Sequence, residues 1–215
     1  MRHAWPWTVP LLLTAMLVTA ACGDPGEAGQ PMAAGLTGGW ATAGCEFHRE
    51  PLITTVGGIT IPATPRALAT AMDRIDRGGR ADHADSYAGL EVDQQRVRAI
   101  VYRVPSAEFD DFVRRNAEDS CVVVRDAAHA LAELTAWHDR IVADLPMWAT
   151  RGVRISTVGA RHDGIGVEVG TENVARTRAE LSAAYGAAAP LVFVEEGPMT
   201  PLASPTPPTV PQPGG

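Results

Sequence analysis

The chain has 215 residues, 46% hydrophobic and 20% charged. That is enough for one sizeable core, and it lies outside the ranges of disordered and collagenous chains. Eighteen basic against 25 acidic side chains give a net charge of −7; with no strong Arg cluster, this argues against a nucleic-acid partner.

Arg2 and His3 precede a nearly unbroken apolar run over 8–21, TVPLLLTAMLVTAA. Fourteen residues are too few for a spanning helix, which needs about 20, but they suit the apolar stretch of an export signal. Thr19-Ala20-Ala21-Cys22-Gly23 then sets small residues before a cysteine. The pattern resembles a bacterial lipobox, departing from it in having Thr19 where Leu or Val is usual. The resemblance implies cleavage ahead of Cys22, a diacylglycerol on its sulfur, and a chain anchored on the outer face of the cell membrane. Several acyl chains hold better than one, at about 0.8 kcal/mol per buried methylene. The other reading is an ordinary secretory signal and a freely secreted product. Residues 1–21 are thus read as signal peptide.

Residues 22–39 follow as a flexible tether rich in Gly and Pro, and 198–215, with seven Pro, read as an extended tail. The folded domain is expected over 40–197. With Cys22 lipidated, Cys45 and Cys121 remain as an even pair in an oxidising compartment. A disulfide between them would close a loop worth on the order of 4 kcal/mol in chain entropy. A metal site is the alternative, but no paired CxxC spacing occurs.

Within the domain, Leu52–Val56 and Ile59–Ile61 flank Gly57-Gly58, a hairpin signal. Thr64-Pro65 reads as cap and first residue of a helix with Leu68, Ala71, Met72 and Ile75 on one face, ended by Gly78-Gly79. A second hairpin is expected over Leu90–Val92 and Val97–Val104. Next come a helix opened by Pro105-Ser106, with Phe109, Phe112 and Val113 on one face, and a buried strand at Cys121–Val124. A long helix over 127–148 directs Leu131, Leu134, Ile141, Val142 and Leu145 inward. A third hairpin turns at His162-Asp163-Gly164. It leads to a helix capped by Asn173 and ended by Gly186, and to a strand over Leu191–Val194. The fold class is therefore α+β: two ββαβ lobes, at about 87–126 and 150–197, each a three-stranded sheet with one helix, joined by the long helix and preceded by a hairpin-helix segment.

The phrases YAGLEVDQQRVRAIVYRVP, WATRGVRISTVGARHDGIGVEVG and YGAAAPLVFVEEG, in that order, resemble small exported actinobacterial proteins of uncharacterised function. The absence of Lys and the wealth of Ala, Gly and Asp agree with such a GC-rich source. More distantly, 87–197 resembles the pro-regions of secreted serine proteases of the alpha-lytic and streptogrisin kind. That resemblance implies two α+β lobes and an inhibitory or chaperone-like binding surface, without protease activity.

No catalytic residue, cofactor or metal site is assigned. Asp82, His83, Asp85 and Ser86 combine triad and ligand types in five residues, but without a nucleophile elbow or a fourth ligand they read as a turn-rich loop. His138 and Asp139, adjacent on the long helix, are not expected to face each other. The glycine-rich 164–170 lacks dinucleotide spacing, and its alternating Ile165, Val167 and Val169 say strand. Trp137 and Trp148, three turns apart on one side of the helix, read mainly as anchors to the sheets. Their sharper reading, with Glu195 and Glu196, is a surface for a protein partner. The expected function is a lipid-anchored, extracytoplasmic, non-catalytic binding module. The alternatives are an inhibitor or folding assistant of a secreted serine protease, and a hydrolase with a deep pocket of converging His and acids.

Overall fold

The computed structural model describes residues 38–117 and 119–197. The expected signal peptide, Cys22, the tether as far as residue 37 and the C-terminal tail lie outside the described residues. None of the described helices is long and apolar enough to cross a membrane.

The described chain begins with strand β1 (Gly39–Ala41), a 3-10 turn over Ala43–Glu46, and a hairpin of β2 (Leu52–Val56) and β3 (Ile59–Ala63). Helix α1 (Arg66–Asp82), β4 (Tyr87–Asp93), β5 (Arg98–Arg103), α2 (Ala107–Ala117) and β6 (Val122–Asp126) form the first lobe. Helix α3 (Leu131–Thr150), β7 (Ile155–Ala160), β8 (Val167–Thr171), α4 (Val174–Tyr185) and β9 (Leu191–Glu195) form the second. The class is α+β, with three small sheets ordered β1-β6-β5-β4, β2-β3 and β7-β8-β9.

In each lobe an antiparallel hairpin is followed by a helix and a strand parallel to the hairpin's second strand. The repeat is longer than ββαβ. Asp82, Tyr87 and Arg103 are matched 68 residues later by Thr150, Ile155 and Thr171, at the end of the leading helix, the start of the first strand and the end of the second. The bulges agree as well, falling between Tyr87 and Gly89 and between Ile155 and Thr157. The duplicated unit is therefore αββαβ. The long helix α3 joins the lobes, with Leu131 packed on the first core and Leu134, Ile141 and Trp148 in the second, and is also the second lobe's counterpart of α1.

The first sheet also gains a strand that the sequence assigns to the tether boundary. Gly39–Ala41 pairs antiparallel with β6, because Trp40 packs on the first core beneath Arg114, whose guanidinium lies 4.4 Å from its ring centre. Thr42 then locks the strand's end, its hydroxyl donating to the Ser120 carbonyl (2.7 Å) and accepting from the Val122 amide (2.9 Å). Cys45 and Cys121 are joined in a disulfide with Cα atoms 4.2 Å apart, across a separation of 76 residues.

Two helix expectations need correction. Gly78-Gly79 does not end α1, which begins one residue late, at Arg66, and runs to Asp82. Glycine costs about 1 kcal/mol inside a helix. Here it permits close approach: a Cβ on Gly79 would stand 2.6 Å from the Tyr87 ring, and one on Gly78 would collide with Phe112. In α3, which starts at Leu131, the buried residues are Leu134, Ile141 and Trp148, seven apart. Val142 lies outside so narrow a stripe and is 40% exposed.

The first core gathers Leu68, Ile75, Tyr87, Val101, Phe109 and Val124; the second gathers Leu134, Ile141, Trp148, Val167, Val169 and Leu181. The lobes meet at the β7–β8 turn. Gly164, at φ +67°, sits against Ala88 and Ala127, and its carbonyl accepts the His129 amide at 3.0 Å. Gly89 lies under the His162 backbone.

Candidate functional site

The β2–β3 hairpin stands apart from both lobes. Gly57 (φ +58°) and Gly58 (φ +81°) give the two positive φ values of the tight turn that matches strand twist. The register pairs Leu52 with Ala63, Thr54 with Ile61 and Val56 with Ile59, so these six side chains share one face. That face is aliphatic apart from Thr54, and it is open: Leu52 is 49% exposed, Ile61 42%, Val56 63% and Ile59 68%. The other face carries Ile53, Thr55, Thr60 and Pro62, and residues 51–65 include no charged side chain. A lone two-stranded hairpin is marginal in water, and clustered exposed apolar side chains mark contact surfaces. Its base is held by the Cys45–Cys121 disulfide and by Arg49, which donates to the Asp119 carbonyl at 2.5 Å.

A cleft of about 440 Å³ lies where α1 and β4 meet the second lobe, lined by residues that include Met72, Asp76, Arg80, Tyr87, Leu131 and His162. Its charges are mutually paired. Arg80 Nε donates to Asp76 at 3.0 Å and the Tyr87 hydroxyl donates to the same carboxylate at 2.6 Å. Burial, helped by that carboxylate, pushes the Tyr87 phenol far above its ordinary range, so it stays a donor. At the rim, His162 Nε2 and Glu91 meet at 3.1 Å.

Of the residues singled out from the sequence, Trp148 needs correction as a partner surface. It is 0% exposed, its indole N–H donating to the Tyr185 hydroxyl at 3.0 Å. Trp137 is half-buried, edge-on to Tyr185, with Arg140 stacked over both rings. Glu195 is exposed, while Glu196 accepts from the Thr157 hydroxyl at 2.8 Å. His138 and Asp139 do meet, Nδ1 to Oδ1 at 2.9 Å. Helical spacing makes i,i+1 pairs diverge, but the Asp139 side chain is exposed and turns back over its neighbour. His83 packs on Phe109 and Phe112 with ring centres 5.3 and 4.7 Å away, and its carbonyl accepts the Ser86 and Tyr87 amides in the turn from α1 to β4. Among the described residues no group of three His, Cys, Asp or Glu side chains could hold a metal ion.

Two ionic clusters escape sequence reading. Arg103, 5% exposed, donates to Asp110 at 2.7 and 3.2 Å and also to Asp126. Arg161 donates to Asp163 at 2.5 Å and to Glu168 at 2.8 Å. Burial would raise the Asp163 carboxyl, but hydrogen bonds from Arg161 and the Ile165 amide outweigh it and hold the group below the usual range. An Arg closing an apolar strand, as in AIVYR, is the one sequence signal that could have pointed to Arg103.

Comparison with protein-family models, curated proteins and solved structures returns no match.

Proposed function

We propose that this chain is an exported, lipid-anchored module that acts by surface contact, with the β2–β3 hairpin as its contact element. The observation carrying this reading is the aliphatic face of Leu52, Val56, Ile59 and Ile61, held clear of both cores. Burying such side chains is worth about 1.5–3 kcal/mol each, which an unpartnered hairpin forgoes. The apolar run ahead of Cys22 supports export and lipidation.

Two measurements test the reading. Mass spectrometry of the mature N-terminus should find acyl chains on Cys22, and an unmodified cysteine rejects the anchor. Amide exchange across 52–63 should be slower in envelope-bound chain than in purified chain, and equal exchange rejects the contact element. A second reading, inhibition or assisted folding of a secreted serine protease, is favoured by the paired lobes, the architecture that the resemblance implies for such pro-regions. Inhibition or refolding assays with the purified chain decide it.

A further inference from the structure

We propose that the occupant of the hairpin's apolar face is the lipid bilayer, entered tip-first to the level of the headgroups. This inference rests on the hairpin being the contact element and names what it contacts. Three observations carry it.

The first is the chemistry of the surface. Specific protein interfaces combine an apolar centre with a polar, often charged rim. Over 51–65 the polar side chains are Thr alone, with no charge and no amide. Such a surface offers apolar side-chain area, and the nearest charges, Glu50 and Arg66, flank its base and not its tip, which suits entry into a fluid apolar phase turn first.

The second is the gradient of exposure. On the aliphatic face it rises from Leu52 and Ile61, at 49% and 42%, to Val56 and Ile59, at 63% and 68%, next to the turn, while Ile53 on the other face is 62% exposed. Gly57 and Gly58 at the apex have nothing within 4 Å of a would-be Cβ. The leading end is thus slim, apolar and unencumbered. Depth is limited by the backbone: each strand has one unpaired outer edge, and unpaired amides and carbonyls cost several kcal/mol in hydrocarbon. Only the Val56–Ile59 end enters, at the headgroup–acyl boundary where amphipathic elements settle.

The third is the chain outside the described residues. Fifteen residues separate Cys22 from Gly38, spanning at most about 58 Å when extended. An anchor at Cys22 would hold the hairpin within reach of the membrane at an effective concentration of the order of millimolar. Weak insertion then suffices.

The test uses the chain from residue 22 onward, which includes every described residue, with Cys22→Ser so that no acyl chain contributes. Flotation on vesicles of phosphatidylglycerol and phosphatidylcholine, at millimolar lipid to match the effective concentration of an anchored chain, should show partitioning that the pair Val56→Asp and Ile59→Asp lowers about tenfold or more. Thermal unfolding should be unchanged in that variant, because neither side chain belongs to a core. In the same Cys22→Ser chain, Ile59→Trp should add to the emission of Trp40, Trp137 and Trp148 a component that shifts to the blue on vesicles and is quenched by lipids brominated near the headgroup, against the Cys22→Ser parent as control. No flotation of the Cys22→Ser chain, or equal flotation with and without the two aspartates, overturns the proposal. So does a dimer that the aspartates dissolve in the absence of flotation, which assigns the face to a second copy. Because the protein carries no lipid, the result stands whether or not Cys22 is acylated in the cell. Negative flotation with slowed envelope exchange over 52–63 rejects the bilayer while leaving the contact element in place.

Discussion

Arg103 ends β5 inside the first lobe, with the carboxylates of Asp110 and Asp126 closing over it. Burial works against its charge, but the hydrogen bonds it donates to Asp110 and then Asp126 more than offset that and raise its pKa. Removing the guanidinium leaves two acids facing each other with little water. Arg103→Met should therefore cost about 3–5 kcal/mol, the usual penalty for breaking a buried pair from one side, read from urea unfolding. Asp163 allows a test by pH. Its folded pKa is depressed, so its contribution is present above the unfolded value near 3.9 and is lost as pH falls below it. The melting temperature should fall between pH 5 and 3 more steeply in the native chain than in Asp163→Asn. Parallel slopes would show that the Arg161 contact adds nothing to stability.

At the scale of elements, helix ends were the hardest features to read. Gly78-Gly79 carries the usual stop signal, yet α1 continues because the Tyr87 and Phe112 rings occupy the space two Cβ atoms would need. That contact joins positions on different elements, and no local pattern encodes it. Gly79→Ala, which on an exposed helix would gain about 1 kcal/mol, should here cost about 1–3 kcal/mol through overpacking, measured by thermal unfolding. Elements whose signals are local were legible. The Gly57-Gly58 turn, the Asn173 cap accepting the Arg176 amide at 3.0 Å, and the Gly186 stop at φ +91° all rest on a residue's own backbone preference. The Cys45–Cys121 pairing followed from parity alone. Cys121→Ser with Cys45→Ser should lower stability by about 2–5 kcal/mol, seen as a melting shift that reductant reproduces in the native chain. β1 was missed because three residues with one Trp carry no periodicity; its place depends on β6 being there to pair with.

For the whole molecule, the order hairpin, helix, strand in both halves was visible, but the full αββαβ repeat was not. The equivalent positions hold unlike chemistry. Arg103 reaches Asp110 in one lobe, whereas its counterpart Thr171 meets Thr177 through paired hydroxyls at 2.8 Å in the other. A repeat kept in backbone and register, but not in side chains, shows only once strands are paired. The candidate contact face was readable in part: alternation placed the aliphatic side chains, but that no sheet or helix covers them is a tertiary fact. The lobes themselves are coupled through a small contact. Gly164 combines a positive φ with near contact to Ala88 and Ala127. Gly164→Val should both strain the turn and wedge the lobes apart, replacing one cooperative urea transition by two. A single transition at lower denaturant would mean that the lobes unfold together regardless.

The disulfide also decides what a cut in the hairpin would do. Cys45 lies ahead of the Gly57-Gly58 turn and Cys121 behind it, so this exposed loop tip sits inside a covalent ring. Hydrolysis there would yield two polypeptides that still migrate as one band until thiol is added. β1 would remain paired with β6 throughout. Anything fastened to the chain before Gly38 would keep its hold on both lobes after the tip is cleaved, so clipping could silence the hairpin without shedding the protein.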